Sequence, residues 1–133
     1  MNIRYLLDAN AASYAINKES PAVDRHLARV PMEDLAISAV TEGELHYGAA
    51  RRLSTPLQSI IERFLLGVTV IPWDSAAARH YGQLRATLER EGQAIGSLDM
   101  MIAAHAVALG LIMITNDRAF ARIKQLKIED WTK

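Results

Sequence analysis

The 133-residue sequence contains no cysteine, so neither a disulfide framework nor a thiolate metal site is available to it. No stretch approaches the ~18 consecutive apolar residues of a membrane span. There is no charge excess of either sign: 15 Lys and Arg balance 15 Asp and Glu. The simplest electrostatic mark of a nucleic-acid binder is therefore missing. Balance says nothing about distribution, however, and Arg51, Arg52, Arg79, Arg85, Arg90, Arg118 and Arg122 are available to line a surface. Neither common glycine-rich phosphate loop occurs, and no serine sits in a nucleophile-elbow pattern. His26, His46, His80 and His105 form no pair at metal-ligand spacing. His46 and His105 read as helix-surface or satisfied packing residues. The opening Met1-Asn2-Ile3-Arg4-Tyr5 runs into a short apolar stretch that Asp8 soon interrupts, too short for a secretory signal. A cytoplasmic protein is the expectation.

What is present is a core. Half of the residues are apolar, and the length suits one domain spanning residues 1–133. Apolar runs at Ile3 to Leu7, Leu35 to Ser38, Val68 to Ile71 and Leu111 to Thr115 read as strands, with Lys127 to Glu129 a further edge strand. They are continuous rather than alternating, as in strands covered on both faces. Helices are expected between them. These run from Ala9 to Ile16, from Pro21 with Ser20 as its cap, from Val40 to Arg52 and, capped by Ser54-Thr55-Pro56, from Leu57 to about Leu66. A long one follows from Asp74 to Glu91, then Leu98 to Leu109 with Ser97 as its cap, and a short one at Ala119 to Ile123. The alternation predicts an α/β fold, a mostly parallel sheet of four to five strands with helices on both faces. The Leu98–Leu109 segment is apolar almost all round, so its helix is buried.

Ligands of open α/β sheets bind beyond the carboxyl ends of the strands. Asp8 directly follows the first strand, and Asp117 comes just after the fourth. Glu44 lies in the early turns of the helix after the second strand, and Asp99 in the first turn of the buried helix. Right-handed crossovers bring such positions to one rim. Two carboxylates ~5 Å apart repel by roughly 3 kcal/mol at an effective dielectric of ~20. A cluster of them takes up protons or recruits a divalent cation, and oxygen-only ligation points to magnesium or manganese. Magnesium bound by carboxylates suits phosphodiester hydrolysis. Each acid also has a plainer reading. Asp8 suits a helix cap, Asp99 the favourable end of a helix dipole, and Asp117 a turn. Glu42 and Glu44 point to different sides of their helix, and spacing does not choose between them.

Four segments carry a resemblance. They are Leu6-Leu7-Asp8-Ala9-Asn10, the stretch from Ile37-Ser38-Ala39 through Glu44-Leu45-His46-Tyr47-Gly48, the stretch Ile95-Gly96-Ser97-Leu98-Asp99 through His105-Ala106, and Ile114-Thr115-Asn116-Asp117-Arg118-Ala119-Phe120. In this order the sequence resembles the PIN-domain ribonucleases of the VapC type, toxins of toxin–antitoxin pairs, over nearly its whole length. The resemblance implies Glu44 rather than Glu42 as the second acid. It implies Asp8 and Asp99 as principal ligands of Mg2+, with Mn2+ able to substitute. Glu44 then supports the ion, Asp117 completes the cluster through water, and Asn10 and Thr115 hold the acid-bearing loops. Two positions depart from the pattern. Ala9 stands where the family usually has Thr or Ser, and Ala119 where it often has a further acid.

By resemblance, the chain is expected to be an endoribonuclease that cleaves RNA, a transfer RNA in the first instance, and arrests translation. A small antitoxin of VapB type holds it inactive and carries the pair to promoter DNA, and the toxin forms a homodimer. The rival reading, kept open by Ala9, is a PIN-like protein-binding module with an impaired metal site. A phosphoacceptor domain ranks below both. It needs an acid pair beside the first strand and an aspartate after the third, where Pro72-Trp73 stands.

Overall fold

The computed structural model describes residues 2–133. Its sheet has five strands: β1 (Tyr5–Leu7), β2 (Leu35–Ser38), β3 (Thr69–Ile71), β4 (Ile112–Ile114) and β5 (Lys127–Glu129). The helices are α1 (Ala9–Asn17), α2 (Pro21–Arg29), α3 (Ala39–Arg52), α4 (Thr55–Gly67), α5 (Ser75–Arg90) and α6 (Ser97–Leu109). Short 3-10 segments lie at Met32–Asp34 and Arg118–Arg122. Every strand pairing is parallel, in the order β3-β2-β1-β4-β5. The order reverses between β1 and β4, which opens the crevice where ligands of such sheets bind.

Side chains alternate across the sheet even though both faces are apolar. Leu6, Ala36 and Met113 face α5 and α6, together with Met100, Ile102, Leu84 and Leu88. Tyr5, Leu7, Leu35, Ile37 and Ile114 face the other way, with Ala12, Val23, Leu45 and Ile61 of the first four helices. Leu6 is wholly buried on the central strand. Leu6→Ala is expected to lower stability by about 2–5 kcal/mol, measured by urea denaturation.

Three helix starts follow the sequence signals. Ser20 and Ser54 cap α2 and α4 by accepting from the Val23 and Leu57 amides, each at 3.2 Å. Asp74 caps α5 through the Ala77 amide at 3.1 Å. The start of α6 corrects the sequence reading. Gly96, not Ser97, is the N-cap, and no side chain caps this helix. Extended backbone at Gly96 lets its carbonyl accept from the Met100 amide at 2.9 Å, so the helix begins one residue earlier and Ser97 lies inside it. The segment expected as a short helix near residue 119 is the 3-10 turn Arg118–Arg122. The turn is five residues long, and 3-10 geometry is used in such short connecting pieces.

Candidate active site

Asp8 occupies the switch point itself. It follows β1, its backbone N–H donates to the Ile114 carbonyl of β4 at 3.1 Å, and it is 4 % exposed. Its side chain caps α1, Oδ1 accepting from the Ala11 amide at 2.8 Å. The capping reading of Asp8 therefore holds, and it occupies only one of the two carboxylate oxygens.

Asp117 leaves the end of the neighbouring strand, exposed to solvent. It also caps, accepting from the Ala119 amide at 2.9 Å. Buried Thr115 joins these two loops. Its hydroxyl accepts from the Asp117 amide at 3.1 Å, and the same hydroxyl stabilises the charged form of Asp8. Asn10 is exposed on α1. Among the described residues its side chain bonds neither acid-bearing loop. A contact between α1 and the β4 loop comes instead from Asn116, whose amide donates to the Tyr14 hydroxyl at 3.3 Å.

Glu44 projects from the second turn of α3, and Asp99 from the first turn of α6. The topology couples Asp8 electrostatically to Asp99, Asp117 and Glu44, and Asp99 to Glu44 and Asp117. Burial pushes Asp8 above the usual carboxylate range, and the charges of Asp99 and Asp117 add to it, against the Thr115 hydroxyl and the Ala11 amide. Burial also raises Glu44, with Asp99 and then Asp8 adding to it. Asp99 is raised by burial and then by Asp117. The coupling among the four acids is loose. Among the described residues, no three His, Asp or Glu side chains stand close enough to grip an ion as they lie.

Two further atoms mark the site as built for a polar guest. Glu44 Oε1 is buried without a hydrogen-bond partner, and so is Thr41 Oγ1 one turn earlier on α3. Buried polar atoms are almost always paired, and leaving one unmade costs about 1–3 kcal/mol. Thr41 was not singled out in the sequence. The signal was there: three residues before Glu44, it shares a helix face with it. The donor set is entirely hard oxygen, which fits magnesium or manganese and is a poor match for softer ions.

The PIN domain model matches residues 5–126. The chain belongs to the PIN-domain family, within its VapC group. A tRNA(fMet)-specific endonuclease VapC from Shigella flexneri is 39% identical to it over 132 residues, covering 98% of this chain and 99% of that protein. Among solved structures, the DNA-bound VapBC of Salmonella typhimurium superposes with a TM-score of 0.89 at 35% identity, over 97% of this chain and 98% of that one. VapBC2 of Rickettsia felis, bound to a DNA fragment from its promoter, gives 0.87 at 34% identity, over 96% and 98%. The five parallel strands and flanking helices described above are thus those of a VapC-type PIN domain. No helix among the described residues is long and apolar enough to cross a membrane.

Proposed function

We propose that this PIN domain is a magnesium-dependent endoribonuclease, the toxin of a toxin–antitoxin pair, which cleaves RNA and so arrests translation. The observation that carries the reading is the convergence of four carboxylates from four separate elements. Three of them are held above their usual pKa, and Glu44 has a buried oxygen without a partner.

Asp8 and Asp99 would hold the ion directly, Glu44 would support it through its unpaired oxygen, and Asp117 would complete the set from the exposed side. When bound, Mg2+ supplies Lewis-acid stabilisation of charge on the scissile phosphate and lowers the pKa of a water. The protein's own residues do the rest. Asp8 is fixed by its cap bond, so its carboxylate is presented in one direction. Thr115 ties the Asp8 and Asp117 loops together, and β1 and β4 hold both at adjacent strand ends. Thr115→Val keeps the shape and removes the hydroxyl. It is expected to weaken Mn2+ binding about tenfold, as loss of an outer partner typically does, with titration calorimetry as the measurement.

The substrate reading rests on the relative named for transfer RNA, and transfer RNA is the first candidate here. Solved neighbours are toxin–antitoxin complexes, some on DNA, which supports a VapB-type antitoxin as partner. A groove of about 290 Å3 runs beside Glu44 between α1, α3 and α4, lined by Ile16, Tyr47, Arg51, Leu57 and Ile61 among others. We place the antitoxin there, and DNA contact then falls to the antitoxin alone. A homodimer of near-neutral chains would supply a wider RNA surface than one copy.

The test is incubation of the purified protein with total RNA. Discrete cleavage with Mg2+ and none with EDTA is expected. Cleavage that persists in EDTA, or intact RNA with Mg2+ and Mn2+ alike, would overturn the reading.

A further inference from the structure

His105 is 1 % exposed in the middle of α6, among Ile102, Ala103, Ala104 and Ala106. A polar ring in such a place is costly unless its nitrogens are paired. Its Nδ1 lies 2.9 Å from Ser38 Oγ. Ser38 is also fully buried, closes β2 and is the N-cap of α3. Its oxygen already accepts from the Val40 amide at 3.1 Å. The serine still has its own proton to give, and in the arrangement that uses both groups fully Nδ1 accepts it. The ring proton then sits on Nε2, and the Pro72 carbonyl beyond the end of β3 is the backbone acceptor near the ring. Burial, the dominant influence on the ring, lowers its pKa and so favours the neutral form, against the nearby Asp74 and the Pro72 carbonyl.

The bonds run in one direction, from the Val40 N–H to Ser38, from the Ser38 O–H to His105, and from the ring N–H towards Pro72. They join β2, β3, α3 and α6 at one point. Asp99 lies six residues along α6 from His105, and Glu44 six residues along α3 from Ser38. That is about 9 Å of helix in each case. Stability alone does not ask for such a link. Replacing a buried polar pair by apolar groups of the same shape is often nearly neutral.

We propose that His105 is a positioning residue, which sets the helix of Asp99 against the helix of Glu44 through the Ser38 hydroxyl and so fixes the spacing of the two acids. This rests on the metal-site reading above. The test uses His105→Leu, which fills the space without polar atoms, and His105→Asn, whose Oδ1 can accept the serine proton from the place of Nδ1. Ser38→Ala and its combination with His105→Leu complete the set. Melting, Mn2+ affinity by calorimetry and the nitrogen NMR shifts of the ring are read for each variant that retains them.

His105→Leu is expected to fold and melt close to the parent, yet to bind Mn2+ roughly tenfold more weakly. His105→Asn should recover most of that loss. The double variant should lose little beyond the larger single loss, as members of one chain do. In the metal-free parent the ring should be neutral with its proton on Nε2. Equal Mn2+ affinity in parent, Leu and Asn variants overturns the proposal, as does equal loss in Leu and Asn. A ring protonated on Nδ1 overturns it as well. If the parent itself takes up no Mn2+, the metal reading falls. The proton arrangement at His105 needs no ion and still decides the link.

Discussion

Asp8→Asn is expected to reduce RNA cleavage by about a thousandfold or more while making the metal-free protein more stable. Lewis-acid stabilisation is worth several kcal/mol, and each 1.36 kcal/mol is a factor of ten in rate. Stability moves the opposite way for a local reason. Asparagine caps a helix as well as aspartate does, so the bond from the Ala11 amide to position 8 survives. What disappears is a buried negative charge facing Asp99 and Asp117. Asp8→Ala separates the two roles. It removes charge and cap together, and the lost cap costs about 0.5–2 kcal/mol. Single-turnover cleavage and thermal melting in EDTA, run side by side, check both halves. An Asn variant that cleaves like the parent contradicts the assigned role of Asp8.

The second large effect is on stability. A divalent ion at 100 times its dissociation constant stabilises the folded state by about 2.7 kcal/mol. For a domain of this size that is roughly a 10 °C rise in melting temperature. The effect should depend on pH in a definite direction. Asp8, Asp99 and Glu44 have folded-state pKa values raised above the usual 3.8 for aspartate and 4.5 for glutamate. Groups with raised pKa take up protons on folding. Their destabilising effect is absent below the unfolded values and complete only above the folded ones. The metal-free protein therefore loses stability as pH rises from about 4 through the raised values. Mg2+ opposes that loss, so its stabilising effect should be largest near neutral pH and fade on acidification, as protons displace the ion. Melting curves with Mg2+ and with EDTA between pH 4 and pH 8, a range chosen around the carboxylate values, measure this. A melting shift that is the same at both ends contradicts it.

Much of the fold was legible because its signals are local. Ser20, Ser54 and Asp74 announce three helices by their own chemistry, and continuous apolar strands announce a sheet covered on both faces. Strand order was not legible, since parallel pairing joins residues far apart and leaves no local mark. The start of α6 was misread because serine is the better cap by propensity, whereas the backbone turns at Gly96. The acids show a different limit. For Asp8 and Asp117, capping and membership of the cluster are compatible, so a sequence argument that sets one against the other asks the wrong question. Glu44 was separated from Glu42 only by its motif. The structure supplies a physical difference, because Glu44 couples to Asp8 and Asp99 and has a buried oxygen without a partner. Asn10, given a holding role by resemblance, is exposed, while Asn116 makes a cross-loop contact that no pattern suggested. His105 reads as packing from sequence, and it is buried. That its ring also joins two acid-bearing helices depends on Ser38, 67 positions away.

The most direct test of the carboxylate site is calorimetric titration of the parent and of Asp8→Asn combined with Asp99→Asn with Mn2+ near neutral pH. Saturable binding by the parent, lost in a folded double variant, is the predicted result. Equal affinity in the two proteins would contradict the account.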